Sequence, residues 1–249
     1  MMTILSLILN VILIFFILNF AWKKGYIGRL LVLGNANYLE LPTDTLSAQD
    51  WWQREVQYQA YVASNRQFKV CIFGDSISAS LGNTLGNNTF NFAIDGMSTI
   101  SQLEQLKFLT AVNVRCQIAI LALGTNDAAY RTMDAHFQRN MQQIIRMIKE
   151  KMQAQQVVLI PAFYSTVAAS QDLTQAGTIE RVDRINEVIR QIAEIEKLMI
   201  FRDEIQPLFT GKALKENLTL DGVHLNLEGK KIYREALLKI VNSHPKIKT

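Results

Sequence analysis

Two uninterrupted apolar runs, CQIAILALG at 116–124 and QVVLIPAF at 156–163, constrain this chain more than anything else in it. A strand that is apolar at successive positions must be covered on both faces, which is the situation of a strand inside a parallel sheet flanked by helices. Further strand-like runs occur at 68–74, 89–94 and 198–201, and helical patterns at 98–111, 134–153 and 178–197 alternate with them. That alternation is an α/β rhythm. Right-handed helical crossovers between successive strands give a mainly parallel, five-stranded sheet in a layered α/β fold. A last helix is expected from about Leu227 to Asn242, and no internal repeat or low-complexity segment interrupts the pattern. In such sheets function gathers in the loops beyond the carboxyl ends of the strands. Three polar motifs fall there: Gly74 to Ser76, Asp95 to Ser98, and Gly124 to Asp127.

The N-terminus obeys a different rule. Residues 3–22 carry no charge and end against Trp22, Lys23 and Lys24, which suits a transmembrane helix whose aromatic and basic flank meets the headgroup region. A cleaved signal peptide would want a basic start, a shorter apolar core and small residues before a cut, and none is present. We therefore expect an anchor at 1–24, a juxtamembrane linker at 25–47 with Gly25, Gly28, Gly34 and Pro42, and one catalytic-sized domain at 48–249. The basic residues lie C-terminal to the span, so the positive-inside rule favours a cytoplasmic domain; a single weakly charged span constrains orientation least, and the outward-facing alternative stays open. A helix at 48–64 carries Trp51, Trp52, Tyr58 and Tyr61, expected to pack on the sheet rather than rest at the lipid interface. The net charge of +4 comes without any dense run of Lys and Arg, which argues against nucleic-acid binding. Cys71 and Cys116 sit in apolar strand-like runs and read as buried thiols rather than as a disulfide or a metal pair.

The chemistry rests on a nucleophile and a base. Ser76 follows a strand-like run in FGDS, and a serine hydroxyl attacks well only when an imidazole takes its proton and a carboxylate fixes that imidazole. Of three histidines, His136 lies in a helical pattern and His244 precedes Pro245 in a basic tail, whereas His224 stands three residues after Asp221 in DGVHLN. A spacing of three in a tight turn brings the carboxylate to Nδ1 and leaves Nε2 free to face Ser76. Three donors for a developing oxyanion are candidates: the Ser76 N–H, the Gly96 N–H in NFAIDGMST, and the Asn126 amide in LGTND. Each motif also has a purely structural reading, with Asp75 or a residue of 125–127 capping a helix, Gly96 serving a turn, and Asp221 and Gly222 forming a turn before Asn226 caps the last helix.

The four blocks GDSIS, NFAIDGMS, LGTND and DGVHLN, taken in this order across residues 68–242, resemble those of the GDSL or SGNH hydrolase family, with Ile77 where the name-giving motif has Leu. The resemblance implies a flavodoxin-like three-layer αβα sandwich, a catalytic triad of Ser76, Asp221 and His224, and an oxyanion hole formed by the Ser76 and Gly96 N–H groups with the Asn126 side chain. It implies hydrolysis of a small-molecule or lipid ester through an acyl-serine, without a metal or organic cofactor. Acyl transfer to a sugar or lipid hydroxyl uses the same intermediate, and a non-catalytic membrane-tethered binding module is the alternative from another class. A nucleotide-binding reading lacks GxGxxG or GxxxxGK after a strand. The loop 162–178, with Phe163 and Tyr164, is either a wall against the acyl group or an ordinary surface loop.

Overall fold

The computed structural model describes residues 44–243, so the expected anchor at 1–24, nearly all of the linker at 25–47, and His244 lie outside the described residues. Among the described residues no helix is long and apolar enough to cross a membrane. The elements in chain order are α1 (Asp50–Ala63), β1 (Gln67–Gly74), α2 (Ser76–Ala79), β2 (Thr89–Asn91), α3 (Thr99–Ala111), β3 (Arg115–Ala122), α4 (Thr125–Ala129), α5 (Asp134–Glu150), β4 (Gln156–Leu159), α6 (Val167–Gln171), α7 (Ile179–Glu196), β5 (Met199–Ile200), β6 (Phe209–Thr210), β7 (Ala213–Leu214) and α8 (Leu227–Ser243).

Strands β1 to β5 form a single sheet in the order β2-β1-β3-β4-β5, parallel at every pairing. The register explains the continuous apolar runs. Ile72, Ile120 and Val158 stand in one row across three strands, and Phe73, Leu121 and Leu159 in the next. The first row packs in one core with Tyr233, Leu237 and Ile240 of α8. The second packs in another with Trp52, Leu106, Ile144 and Ile189 of α1, α3, α5 and α7. Strands buried on both sides cannot alternate polar and apolar, and truncating one such residue, for example Leu121→Ala, is expected to cost about 2–5 kcal/mol. The result is the three-layer α/β sandwich expected, with four long helices on one face. On the other face stand α8, α2 and the small antiparallel β6–β7 hairpin, which the sequence reading did not include.

Strand ends differ from expectation by about three residues at two places. Pairing stops at Asn91 and Leu159, although the Phe92 and Ile160 N–H groups still donate to Ile72 and Leu121 at 2.8 Å each. There the chain turns out of the sheet into site loops. Helix α1 also departs from its expected packing. Only Trp52 enters the core, with Val56, Ala60 and Ala63 at helical spacing behind it, whereas Trp51, Tyr58 and Tyr61 are exposed. Four aromatics spread over eleven positions cannot all share the one stripe that faces the sheet. The buried Trp52 indole donates to the Met97 sulfur at 3.2 Å.

The cysteines are a second correction. Cys71 on β1 and Cys116 on β3 are joined by a disulfide, with Cα atoms 5.9 Å apart, instead of remaining separate thiols. They lie 45 residues apart on strands that become neighbours only through the sheet order, and both side chains enter the same core.

Candidate active site

The strand order changes direction between β1 and β3: β1 leads outward to β2, whereas β2 leads back across to β3. At such a switch point the loops after the two central strands diverge and leave a crevice at the carboxyl edge of the sheet. Ser76 follows β1 and Asn126 follows β3, so both stand at that crevice. Asp75 caps α2 by accepting from the Ile77 N–H at 3.0 Å, as the structural reading of GDS expected. Capping and presentation coexist. Because Asp75 occupies the cap, Ser76 becomes the first helical residue, partly exposed, with an N–H that has no intrahelical acceptor.

His224 reaches Ser76 from the far end of the chain. Its Nε2 lies 3.0 Å from Ser76 Oγ, across 148 positions of sequence, and its Nδ1 lies 2.7 Å from Asp221 Oδ2. The other carboxylate oxygen of Asp221 accepts from the N–H groups of Val223 and His224 at 2.9 and 2.8 Å. The turn is held from outside as well: the His224 carbonyl accepts from Leu220 N–H and Thr219 Oγ1, and the Gly222 carbonyl accepts from Thr166 N–H. Gly222 has φ of +90°, and a Cβ there would come 2.7 Å from the Ala169 Cβ, so the turn can approach α6 this closely only with glycine. Asn226 caps α8 through the Gly229 N–H at 3.0 Å, as expected. His136 is exposed in the first turn of α5.

Burial works against the charge of Asp221, but the hydrogen bonds from the His224 and Val223 N–H groups and from the imidazole outweigh it, and its carboxyl is held below the usual aspartate range. A carboxylate ionised throughout the neutral range fixes the Nδ1–H tautomer, leaving Nε2 as acceptor for the serine proton.

The two remaining predicted donors flank the same crevice. Gly96 sits in the loop between β2 and α3 at φ of +77°, a turn conformation that suits glycine. The Asn126 amide nitrogen donates to the Met97 carbonyl at 2.9 Å, tying the loop after β3 to the loop that carries Gly96. The capping alternative for 125–127 does not occur: α4 begins behind Gly124 without a side-chain cap, and Asp127 turns inward to accept from the Thr99 N–H and hydroxyl at 3.0 and 2.6 Å. Asp44 performs a parallel task, accepting from Ser98 Oγ and Ser101 Oγ at 2.6 and 2.5 Å and so holding the start of α3. Neither role was read from the sequence, because an aspartate that braces a loop has no spacing signature.

Beside these groups lies a cavity of about 20 Å³ lined by Ile77, Asn126, Phe163, Ser165, Val182 and Val223, among others. Phe163 is buried, packed edge-on against Phe209 and Tyr233 at 5.4 and 5.1 Å. The loop 162–178 is therefore a wall at its two ends, where Phe163, Ala176 and Gly177 are buried and Gln175 joins the lining, and ordinary surface at 171–174. Among the described residues no group of three or more His, Cys, Asp or Glu side chains is arranged to hold a metal ion.

The sequence profile of the GDSL-like lipase/acylhydrolase family matches residues 72–232. No curated protein sequence matches the chain. Among solved structures, a GDSL-like lipase from Bacteroides thetaiotaomicron superposes with a TM-score of 0.61 at 18% identity, covering 76% of this chain and 97% of that one. A lipase/acylhydrolase from Enterococcus faecalis gives 0.58 at 20% identity, covering 74% and 99%. An acetylxylan esterase from Geobacillus stearothermophilus, solved as a catalytic mutant, gives 0.53 at 15% identity, covering 72% and 95%. At these identities the structural likeness speaks for the fold, and the profile, which spans more than half of the chain and runs from the end of β1 into α8, carries the assignment: this chain belongs to the GDSL-like lipase/acylhydrolase family, a family of acyl-ester hydrolases.

Proposed function

We propose that the protein hydrolyses carboxylic esters through an acyl-serine on Ser76, with His224 as general base and acid and Asp221 as the group that orients and supports the imidazole. The observation that carries this reading is the continuous chain Ser76 Oγ to His224 Nε2 at 3.0 Å and His224 Nδ1 to Asp221 Oδ2 at 2.7 Å. Ser76 Oγ attacks the ester carbonyl carbon while its proton passes to Nε2; the carbonyl oxygen becomes an oxyanion facing the Ser76 and Gly96 N–H groups and the Asn126 amide. The bond to the alcohol oxygen then breaks, and that oxygen takes the proton from Nε2. Water repeats the sequence, giving its proton to Nε2 as its oxygen attacks the acyl carbon, and the acid leaves with Ser76 reprotonated.

Acyl transfer to another hydroxyl would pass through the same acyl-serine, and product analysis with an added alcohol separates it from hydrolysis. The cavity between Ile77, Asn126 and Val223 is the natural place for the acyl group. Residues 3–22 tether the enzyme to a membrane in this proposal, where acyl lipids and envelope-associated esters are at hand. The test uses the full chain in detergent with an alkyl fluorophosphonate and a panel of short and long esters. Labelling at Ser76 and turnover that disappears together in Ser76→Ala are the expected result. Undiminished turnover by Ser76→Ala, or a folded wild type that neither labels nor hydrolyses any ester, would sink the proposal and leave the binding-module reading.

A further inference from the structure

The three proposed oxyanion donors sit on three loops, and one short helix sets the distance between two of them. Tyr130 directly follows α4 and stands one turn after Asn126, its N–H donating to the Asn126 carbonyl at 2.7 Å. The two side chains take successive carbonyls of the loop between β2 and α3: the Asn126 amide donates to Met97 at 2.9 Å, and the Tyr130 hydroxyl donates to Gly96 at 3.3 Å. Burial, with the carboxylates of Asp44 and Asp127, pushes the Tyr130 hydroxyl above the usual tyrosine range, so it stays protonated, and a donor, through neutral pH.

The segment so held is a tight turn. The Met97 N–H donates to the Ile94 carbonyl at 3.3 Å, and of the two central residues only Gly96 has a positive φ, +77°, which is the type II arrangement. Among the described residues the Gly96 N–H finds no acceptor, and the Gly96 carbonyl finds no donor besides Tyr130. A loop tied by one hydrogen bond pivots about it. Tied at successive carbonyls to a short helix and its cap, it is fixed in orientation as well as in distance, and the Gly96 N–H keeps its place relative to the Asn126 amide. The remaining ties, from the Trp52 indole to the Met97 sulfur and from Asp44 to Ser98 and Ser101, act beyond the turn. Such placement counts in the transition state, because a donor stabilises a developing oxyanion at about 2.7–3.1 Å and loses much of that effect when misplaced by about 0.5 Å.

We infer that Tyr130 is a positioning residue for ester cleavage: its hydroxyl holds the Gly96 carbonyl, and through it the Gly96 N–H, in register with the Asn126 amide around the oxyanion. This rests on the serine-hydrolase reading above, and it adds to that reading the side chain that aligns the second backbone donor. Without the hydroxyl the turn swings on the Met97 bond alone, and the oxyanion loses part of one donor while substrate binding in the ground state is untouched.

The experiment compares full-length wild type and Tyr130→Phe in the same detergent on phenyl acetate, with spontaneous hydrolysis subtracted. Active sites are counted by alkyl fluorophosphonate labelling of Ser76 to completion, so every rate is per competent site even where a variant folds only in part. Two inhibitors are used: an alkyl trifluoromethyl ketone, whose adduct with Ser76 carries a tetrahedral oxyanion, and the matching methyl ketone, which binds as a planar carbonyl. The expected result is a kcat per site about three- to tenfold lower in Tyr130→Phe, with KM within about twofold of the wild type. The inhibition constant of the trifluoromethyl ketone should rise by the same factor, and that of the methyl ketone should stay where it was. A purely structural role would lower the number of labelled sites and leave kcat per site and both inhibition constants unchanged, and that result overturns the inference. A change carried by KM, or a fall in kcat that the trifluoromethyl ketone does not follow, overturns it too. Labelled, active wild type beside an indifferent Tyr130→Phe sinks this inference alone, whereas a folded wild type without labelling or turnover sinks the hydrolase reading beneath it.

Discussion

Asp221 and the pair Asp75 and Asp127 are carboxylates standing around one crevice, and they respond to it in opposite ways. The Asp221 side chain is 51% exposed and its pKa is lowered; Asp75 and Asp127 are 3% and 0% exposed, and their pKa values rise to about 7 and about 6. Loss of solvation is the largest influence on all three. At Asp221 it is partial, and the hydrogen bonds from His224 and Val223 overcome it. At Asp75 it is complete, and the Ile77 N–H, the Thr125 hydroxyl and the nearby His224 only reduce it, while Asp127 adds to it. At Asp127 the Thr99 N–H and hydroxyl likewise offset only part of it. The difference separates the carboxylate that serves the proposed reaction from carboxylates that brace the loops around it. The former must stay ionised next to an imidazole, whereas the latter trade easy ionisation for tight bonding.

The largest effects test that division from the reactive side. Ser76→Ala and His224→Ala are each expected to lower kcat/KM by about 10³-fold or more, and the double variant little further, because members of such a unit act together. Their chemical denaturation midpoints should stay close to that of the wild type. Asp127→Ala should behave in the reverse manner: it strands the Thr99 N–H and hydroxyl, now bonded at 3.0 and 2.6 Å, in a buried place, and should cost about 2–4 kcal/mol in urea unfolding. Where it remains folded, turnover should fall far less than in Ser76→Ala. If Asp127→Ala kept its stability and lost activity like the serine variant, the two regions would not be distinct.

Stability as a function of pH sharpens the same contrast. Asp75 and Asp127 hold their protons in the native state to about pH 7 and about pH 6, whereas in the unfolded chain they release them near 3.8. Between about pH 4 and pH 7 the native state therefore binds more protons than the unfolded state, and the contribution of these two groups to stability falls as pH rises through that window. Asp221, with its pKa lowered, contributes in the opposite sense, losing stability as pH falls through the acid range. Urea titrations at a series of pH values should show a decline from pH 4 to pH 7 that flattens in Asp75→Asn and in Asp127→Asn. A wild-type profile that instead climbs through this window would mean that the buried pair is ionised without penalty.

The sequence carried the reactive region better than the bracing one. Ser76, Asp221, His224, Gly96 and Asn126 sit in short motifs at strand ends, so spacing and strand rhythm place them, and the geometry brings Ser76, Asp221 and His224 into contact. The long helices were legible because their burial is periodic, and the strand cores because their apolar runs are continuous. What stayed hidden depends on contacts distant in sequence. Asp127 bonds Thr99 and Asp44 bonds Ser98 and Ser101, and nothing in the local pattern separates either from a helix cap. The Cys71–Cys116 bond requires knowing that β1 and β3 are neighbours, and the division of Trp52 from Trp51 depends on which stripe of α1 meets the sheet.

The smallest predicted effects come from two glycines, one in each loop system, that share a positive φ but differ in room. At Gly222, beside His224, φ is +90° and an added Cβ would lie 2.7 Å from the Ala169 Cβ and 2.8 Å from Thr166 Oγ1. Backbone strain and steric conflict add there, so Gly222→Ala should cost about 2–3 kcal/mol and also displace the imidazole. At Gly96 φ is +77° but the nearest atom to an added Cβ would be a Leu46 methyl at 3.6 Å, an ordinary contact. Gly96→Ala should therefore cost only the conformational part, about 1 kcal/mol, measurable as a small shift in urea midpoint. Its kinetic effect discriminates further. With the loop still tied by the Asn126 amide to the Met97 carbonyl, the Gly96 N–H should keep its direction, and kcat should fall by about tenfold or less, with KM following the bulk of the acyl group. A loss in kcat as deep as that of Ser76→Ala, with the midpoint unmoved, would show that the bare Cα itself is needed where the substrate carbonyl approaches.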